Sequence, residues 1–345
     1  MRLTPNSSHA IIACATLALA AGCSYGGIAR GPDSVTTGAG PRVQSAARPD
    51  VLVLPAYEGP QQAYNDPQML SKEAEVAISD SQNDVVNIYL QKTPHTMVGQ
   101  LTGFTEPQGM AVDKSANLYV TNTGGADVLV FAPGASTPFL TLDDSGKLPV
   151  GVAVDTDGTV YVSNIRKPDN PVRLNTASQP DSAGTGIVVY RKGATKPFRK
   201  LTDAGISSDY FVAIGPNHRV FTDYFDQNGV AQIGYFDSAN PKLHSLNIPN
   251  LQFPGGIKID DDNILVIDQN ARALLVFKPP HRFPRSFIPF IGASDPVTFD
   301  YGGTERTVWV ADAVGVAEHY APSGRLIDSI NVGGVPIGVV TLPKQ

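Results

Sequence analysis

A sequence pattern that returns about every 40–45 residues is the feature that most constrains how this chain folds. Each copy reads Pro-x-Gly-apolar-x-apolar, followed by a turn, an apolar and aromatic strand ending in Asn or Asp, and a strand ending in Phe or Tyr. The clearest copies begin at Pro107, Pro149 and Pro254, and two degenerate copies contain Val212 and Val297. Because repeats of this length built from short strands are typical of propeller blades, the pattern predicts a β-propeller.

The two ends of the repeat region predict how the ring closes. Residues 76–80 and 85–89 match the second and third strands of a blade, but no first strand precedes them. A matching first strand lies at the far end, over 336–340, where Val339 follows Val297 by 42 residues. Since a ring must hide its edge strands, we expect the two ends to share one blade. The predicted fold class is therefore an all-β, six-bladed β-propeller.

Composition agrees with this fold and excludes two kinds of site. Hydrophobic residues make up 42% of the 345-residue chain, and no long segment has helical periodicity. The net charge is −6 with no block of Lys or Arg, which argues against a nucleic-acid partner. Cys14 and Cys23 are the two cysteines, so the body of the chain has neither a disulfide nor a thiolate metal site.

The N-terminus resembles a bacterial lipoprotein signal. Arg2 supplies a positive charge, and residues 11–21 form an apolar stretch too short to span a bilayer comfortably. The residues that end in Cys23 resemble a lipobox, with Ala20 where that motif usually has Leu. This resemblance implies that the protein is exported and attached by a lipid on Cys23 to the cell membrane or outer membrane. Plain secretion and an uncleaved anchor remain as alternatives.

These features divide the chain into three parts. We expect a lipoprotein signal peptide over 1–22, a flexible lipid-anchored tether over 23–72 and the propeller over 73–345. The residues that follow Cys23 are rich in Gly, Ala, Ser and Pro and bury too little apolar surface to fold alone.

The repeats resemble NHL-type repeats and the related Tyr-Val-Thr-Asn repeats of bacterial surface proteins. More distantly, their layout is similar to the gluconolactonase/regucalcin and strictosidine synthase-like propellers. The resemblance covers about residues 75–341 and implies the fold much more strongly than a function, since one fold serves many activities. Gluconolactonase-like enzymes hold a metal with a Glu and with Asn and Asp ligands, and no matching Glu lies on an inner strand of this chain.

A ring of polar side chains is predicted at one opening of the central channel, which we call the mouth. In a four-stranded antiparallel blade, the first strand starts and the second strand ends on the same face of the disc. The residues predicted there are Asp80, Asn122, Asn164, Asp223, Asp268 and Asp312. An ungapped count from Val212 would place Tyr224 there instead of Asp223. These oxygens suit Ca²⁺ or a polar ligand, or alternatively each side chain hydrogen-bonds its own following turn.

Two loops are expected on the same face. The insertion Ile165–Thr185 joins the second and third strands of its blade and contains Arg166, Lys167 and Arg173. We expect it to be either a lid or recognition loop, or a solvent-exposed loop without a binding role. The loop over 223–229 carries Tyr224 and Phe225, which suit contact with a sugar or protein or simply pack on the next blade.

Recognisable catalytic motifs are absent from the sequence. It contains no His-Glu-x-x-His, no Gly-x-Ser-x-Gly and no phosphate-binding Gly loop. The histidines of the body are isolated in sequence, and Glu318 and His319 are expected to point to opposite faces of a strand. Trp309 lies in an apolar second strand and is expected in the core.

These observations favour a non-catalytic ligand- or protein-binding propeller lipoprotein. The expected partner is an envelope protein or a small polar ligand, and the protein is expected to be a monomer. The alternative is a metal-dependent hydrolase, lactonase or lyase with its site at the mouth. A third possibility is a structural component of the envelope.

Overall fold

The computed structural model describes residues 73–165, 185–237, 241–302 and 307–343. These residues form 24 strands in six four-stranded antiparallel sheets, with one 3-10 turn at Pro216–His218. No helix among them is long and apolar enough to cross a membrane. The predicted signal peptide, the tether with Cys23 and residues 166–184 of the predicted insertion lie outside the described residues.

Each sheet is one blade of the propeller, with its innermost strand at the channel and its fourth strand at the rim. From the channel outward, blade 1 consists of β24 (Pro336–Leu342), β1 (Glu75–Asp80), β2 (Val85–Leu90) and β3 (Met97–Leu101). Blade 2 consists of β4 (Pro107–Val112), β5 (Leu118–Asn122), β6 (Asp127–Phe131) and β7 (Leu140–Asp143). Blade 3 consists of β8 (Leu148–Val154), β9 (Val160–Ile165), β10 (Gly186–Tyr190) and β11 (Arg199–Leu201).

The remaining blades follow the same plan. Blade 4 consists of β12 (Ile206–Gly215), β13 (Arg219–Asp226), β14 (Ala231–Phe236) and β15 (Leu243–Ser245). Blade 5 consists of β16 (Pro254–Asp260), β17 (Asn263–Asp268), β18 (Ala273–Phe277) and β19 (Ser286–Pro289). Blade 6 consists of β20 (Pro296–Gly302), β21 (Thr307–Asp312), β22 (Val316–Tyr320) and β23 (Leu326–Asn331).

The predicted closure of the ring is confirmed. The last strand, β24, is the innermost strand of blade 1 and pairs antiparallel with β1, with Ile78 opposite Val339 and Asp80 opposite Pro336. The six innermost strands contact one another in a closed circle, in the order β24, β4, β8, β12, β16, β20 and back to β24. The fold is therefore the predicted six-bladed propeller.

Each innermost strand has a bulge near its start, and the register of blade 6 differs from the predicted one. In blade 2, Met110 lies opposite Val120, which is two residues before the end of β5. In blade 6 the matching residue is Phe299, opposite Val310, so Val297 is not the equivalent of Met110. The predicted match of Val339 with Val297 is therefore wrong by two residues, because Val297 and Phe299 are both apolar and the sequence pattern alone does not distinguish them.

The core consists of six apolar clusters, one between each pair of neighbouring blades. Second strands such as β5 and β21 are buried along their whole length, because their two faces pack on different blades. Trp309 is 0% exposed and lies in the cluster between blades 1 and 6, which confirms its predicted place in the core.

Close packing of the innermost strands near the mouth explains the glycine of the Pro-x-Gly turns. A Cβ on Gly109 would lie 2.3 Å from the carbonyl oxygen of Val150 in the next blade, and one on Gly338 would lie 2.2 Å from that of Gln108. Both distances are shorter than atoms allow, so the innermost strands approach each other at glycine. Blade 4 has Phe211 at this place, and its mouth differs accordingly.

Candidate functional site

Five of the six predicted mouth residues occupy equivalent places. Four of them lie opposite the proline that starts their first strand: Asp80 opposite Pro336, Asn122 opposite Pro107, Asp268 opposite Pro254, and Asp312 opposite Pro296. Asn164 lies opposite Pro149 in blade 3 in the same way.

Asp223 does not take the sixth place. In blade 4, Tyr224 lies opposite Asp209, and this pair stands where the other blades have Asn or Asp opposite Pro. Asp223 lies beside the bulge of β12 instead, at the place that Thr121 occupies in blade 2. The ungapped count from Val212 therefore gave the correct register.

The aromatic residues of blade 4 lie in the strand rather than in a loop. β13 continues to Asp226, so Tyr224 is a buried strand residue that is 3% exposed. Phe225 is half-buried and packs on Phe253, at the start of blade 5, with 5.3 Å between the ring centroids. Both side chains pack on neighbouring blades, and a contact of Phe225 with a ligand stays a prediction.

Four mouth side chains fasten the loop that enters their own innermost strand. Asp80, Asn122, Asp268 and Asp312 accept backbone hydrogen bonds from Val335, Thr105, Gln252 and Ser294, at 3.0, 2.5, 3.0 and 2.7 Å. The three aspartates also accept N–H groups from their following turns, as the structural alternative expected. Their role in binding a ligand stays a prediction.

The mouth ring does not fit a shared calcium ion. A cation needs several oxygens turned toward one point, whereas the carboxylates of the ring turn toward the backbone of their own blades. Among the described residues, no three His, Cys, Asp or Glu side chains are grouped closely enough to hold a metal.

Unpaired acceptor oxygens are concentrated at the mouth side of blades 3 and 4. Five buried side-chain oxygens there have no hydrogen-bond partner, and they belong to Asp144, Asn164, Asp209, Asp223 and Gln232. We call these five residues the polar sector. Asp144 lies in the loop that enters blade 3, and Gln232 lies opposite Tyr224 in blade 4. A buried acceptor without a donor is uncommon, and these five belong to two neighbouring blades, on both faces of β13, so we treat this part of the mouth as the candidate site.

Asp209 faces blade 3. The Thr222 hydroxyl, which lies 2.9 Å from the carbonyl oxygen of Phe211, is also 3.4 Å from Asp209 Oδ1, while Oδ2 has no partner. Burial raises the pKa of Asp209 to about 7, although hydrogen bonds from Thr222 and Gly186 and the charge of Lys200 act to lower it. The pKa of Lys200 is lowered by burial and by the charge of Lys147.

Asp223 faces the other way, toward blade 5. Residues two apart on a strand share a face, so Asp223 lies between Phe221 and Phe225 on that side of β13. Its Oδ1 accepts the N–H of Phe211 at 2.6 Å, and its Oδ2 has no partner. Burial holds the pKa of Asp223 well above its usual range, and the charge of Asp209 adds to the effect.

Three aromatic rings lie on the same side as Asp223. Tyr210, Phe225 and Phe253 contact one another, with centroid distances of 5.6, 6.0 and 5.3 Å. Tyr210 and Phe225 are partly exposed, so this aromatic cluster reaches the surface of the mouth.

Sequence reasoning missed Asp209, Asp144 and Gln232. A signal for Asp209 existed, because aligning blade 4 with the other first strands puts it where they have proline. No sequence signal marks Asp144 or Gln232, since an unpaired oxygen becomes visible only when its neighbours are known. The flanks of the predicted insertion, Ile165 and Thr185, lie at the mouth beside Asn164 and Gly186.

Two histidines that look isolated in sequence share one carboxylate. His319, on the third strand of blade 6, and His95, in the turn between β2 and β3 of blade 1, lie 2.9 and 3.3 Å from the two oxygens of Asp328. His319 also stacks on Trp309 at a centroid distance of 4.3 Å. Glu318 points elsewhere and accepts the hydroxyl of Tyr320 at 2.6 Å.

Comparisons with known proteins support the fold. No family model matches the chain, and no curated protein matches it. Among solved structures, the chain is similar to one in the crystal structure of a nidogen/laminin complex, with 15% identity, a TM-score of 0.62, and 79% of this chain and 99% of that chain covered. It is also similar to a protein of unknown function from Bacteroides caccae, with 9% identity, a TM-score of 0.58, and coverages of 79% and 100%. Likeness at these identities shows the fold alone.

Proposed function

We propose that the protein is an extracytoplasmic, non-catalytic binding protein that holds a small polar ligand at the polar sector. The observation that carries the proposal is the clustering of five unpaired acceptor oxygens in two neighbouring blades. An acceptor left unpaired in a protein interior costs about 1–3 kcal/mol, and a ligand that donates hydrogen bonds removes this cost. The oxygens are buried, which favours a small molecule over the flat surface of an envelope protein.

The arrangement of the carboxyl groups supports binding rather than catalysis. Enzymes that use two carboxyl groups place both beside the bond that reacts. In this protein Thr222 and Tyr224 share one face of β13 with Asp209, whereas Asp223 lies on the opposite face. No specific observation favours the hydrolase, lactonase or lyase alternative.

The proposed cellular location rests on the sequence. We propose that the protein is exported and attached through Cys23 to the membrane, as a monomer whose closed ring exposes no unpaired first strand. The resemblance to NHL and Tyr-Val-Thr-Asn repeats agrees with this location and assigns no ligand.

A binding screen tests the proposal. The full-length protein is assayed against sugars, amines, amino acids and carboxylates, and each molecule that binds is titrated into two variants, Asn164→Leu and Gln232→Leu. Each variant removes one unpaired acceptor, and we expect a loss of affinity of about tenfold. The matched control is Gln82→Leu, at the exposed mouth of blade 1.

The outcomes divide cleanly. Weaker binding in both sector variants with unchanged binding in Gln82→Leu supports the proposal. Ligands that bind equally to all four proteins, or a screen with no ligand, overturn it.

A further inference from the structure

We infer that the ligand of the polar sector carries an ammonium group and that this group lies against Asp223 and the aromatic cluster of Tyr210, Phe225 and Phe253. The inference rests on the proposed function and names the chemical class of its ligand. Four features carry it: the type of the unpaired atoms, the lack of a cation beside Asp223 in the part of the chain that the structure describes, the rings on its face of the blade, and the failure of the site to suit a metal.

The unpaired atoms of the polar sector are all acceptors. Three are carboxylate oxygens, from Asp144, Asp209 and Asp223, and two are amide oxygens, from Asn164 and Gln232. No buried side-chain N–H or hydroxyl of these two blades is unpaired among the described residues. A ligand that donates hydrogens is therefore complementary to the sector, whereas a carboxylate or phosphate would add more acceptors.

Among the described residues, Asp223 is the carboxylate of this sector that has no neighbouring cation. Lys147 donates to Asp144 Oδ1 at 2.8 Å, and the charge of Lys200 acts on Asp209. The charge found to act on Asp223 is that of another acid, Asp209. Burial favours the protonated form of Asp223, so a cationic ligand that donates to its unpaired Oδ2 would stabilise the ionised carboxylate and gain most at this residue.

The rings on the same face suit the same group. Faces of Tyr and Phe rings attract cations through their quadrupoles, and the attraction grows when water is excluded. Tyr210, Phe225 and Phe253 lie within 6.0 Å of one another by centroid, Phe225 shares a face of β13 with Asp223, and Tyr210 and Phe225 are partly exposed at the mouth. An ammonium group bound at Asp223 would therefore have aromatic side chains on the same side of the blade.

A metal ion is a poorer occupant than an ammonium group. Hard cations require several oxygens around one point, and Asp209 and Asp223 lie on opposite faces of β13. Along its face of β13, Asp223 is flanked by Phe221 and Phe225, which supply no oxygen. An alkylammonium ion needs one good acceptor and an apolar wall, and the site provides both.

Matched probes test the inference. The full-length protein is titrated with primary alkylamines of increasing length, from propylamine to hexylamine, and with the alcohol and the carboxylate of the same length, by ligand-observed NMR. We expect at least one amine to bind about tenfold or more tightly than its alcohol, with no binding of the carboxylate.

Variants then locate the ammonium group. Asp223→Asn keeps the size of the side chain and removes the charge, so amine affinity should fall about tenfold or more. Phe225→Leu should weaken amine binding about threefold to tenfold and tests the site separately if Asp223→Asn unfolds. The matched control is Asp262→Asn, an exposed aspartate that should leave binding unchanged.

The outcomes separate this inference from the proposed function. If alcohols or sugars bind in a manner sensitive to Gln232→Leu while amines do not, the proposed function holds and the ammonium inference fails. Amine binding that survives both Asp223→Asn and Phe225→Leu also overturns it, as does a complete lack of amine binding, which would leave the unpaired oxygens to ordered water. If no molecule of any class binds, both proposals fall.

Discussion

The backbone N–H of Val335 donates a hydrogen bond of 3.0 Å to the carboxylate of Asp80, a residue 255 positions away in sequence. The bond joins the loop that enters β24 to the end of β1. It is supported by the hydroxyl of Ser79, which accepts the N–H of Gly338 at 2.7 Å. In blades 2, 5 and 6 the equivalent hydrogen bond joins residues that are close in sequence. In blade 1 it joins the two ends of the propeller, and so it helps to close the ring.

Removing the Asp80 carboxylate should weaken the closure. Asp80→Ala leaves the N–H groups of Val335, Gln82 and Asn83 without their acceptor, and we expect the free energy of unfolding to fall by about 2–3 kcal/mol. The control is Asp226→Ala, whose carboxylate accepts N–H groups of its own turn only. Urea unfolding measures both, and an equal loss in the two variants would refute a special role for Asp80.

Truncation tests the closure as a whole. Deleting residues 335–345 removes β24, exposes the inner edge of β1 and leaves blade 1 with three strands. Exposed edge strands pair with other chains, so we expect aggregation and the loss of cooperative unfolding. Light scattering and thermal melting measure these effects. A truncated protein that melts like the intact one contradicts the closure model.

The blades could be predicted because their inner strands leave a strong pattern. Second strands such as β5 are buried on both faces and read as unbroken apolar runs, and the Pro-x-Gly turns mark where first strands begin. The fourth strands left no comparable signal. β15 and β23 bury few side chains, so their sequences carry little apolar alternation.

The candidate site was less visible in the sequence than the fold. The repeat pattern placed Asn122 and Asp268 at the mouth, but it could not show that their side-chain oxygens accept backbone N–H groups from the entering loops. It also misplaced Asp223, since a bulge decides whether that residue or Tyr224 ends up opposite the first strand. Whether an oxygen has a donor depends on neighbours from other blades, which no single segment of sequence contains.

The Pro-x-Gly glycines should tolerate no side chain. Gly109→Ala would place a Cβ 2.3 Å from the carbonyl oxygen of Val150, which belongs to the backbone of blade 3 and cannot move aside easily. We expect a loss of about 2–3 kcal/mol in unfolding free energy, typical of overpacking. Gly99→Ala is the control, because its Cβ would meet only Ile88 at ordinary distances. Equal stability of the two variants would show that the close approach is relaxed in solution.

The proposed anchor is tested at Cys23. Cys23→Ser removes the thiol that would receive the lipid, so the protein should move from the membrane fraction to the soluble fraction after cell lysis. Cys14→Ser is the control and should stay with the membrane, since Cys14 lies within the proposed signal peptide. Immunoblotting of the two fractions gives the result, and a Cys23→Ser protein that remains membrane-bound refutes lipid attachment at this residue.

Asp209 should make stability fall as the pH rises. Burial raises its pKa from the ordinary 3.8 to about 7, so the folded state holds a proton that the unfolded state has lost between these two values. Stability is therefore greatest below the unfolded pKa and declines as the pH approaches the folded pKa. For this one group the decline between pH 5 and pH 8 is about 2–3 kcal/mol. Asp209→Asn, which stays neutral, should lose this decline, whereas Asp262→Asn should keep it. Urea unfolding across this pH range makes the comparison, and parallel curves for wild type and Asp209→Asn would show that Asp209 titrates normally in the folded protein.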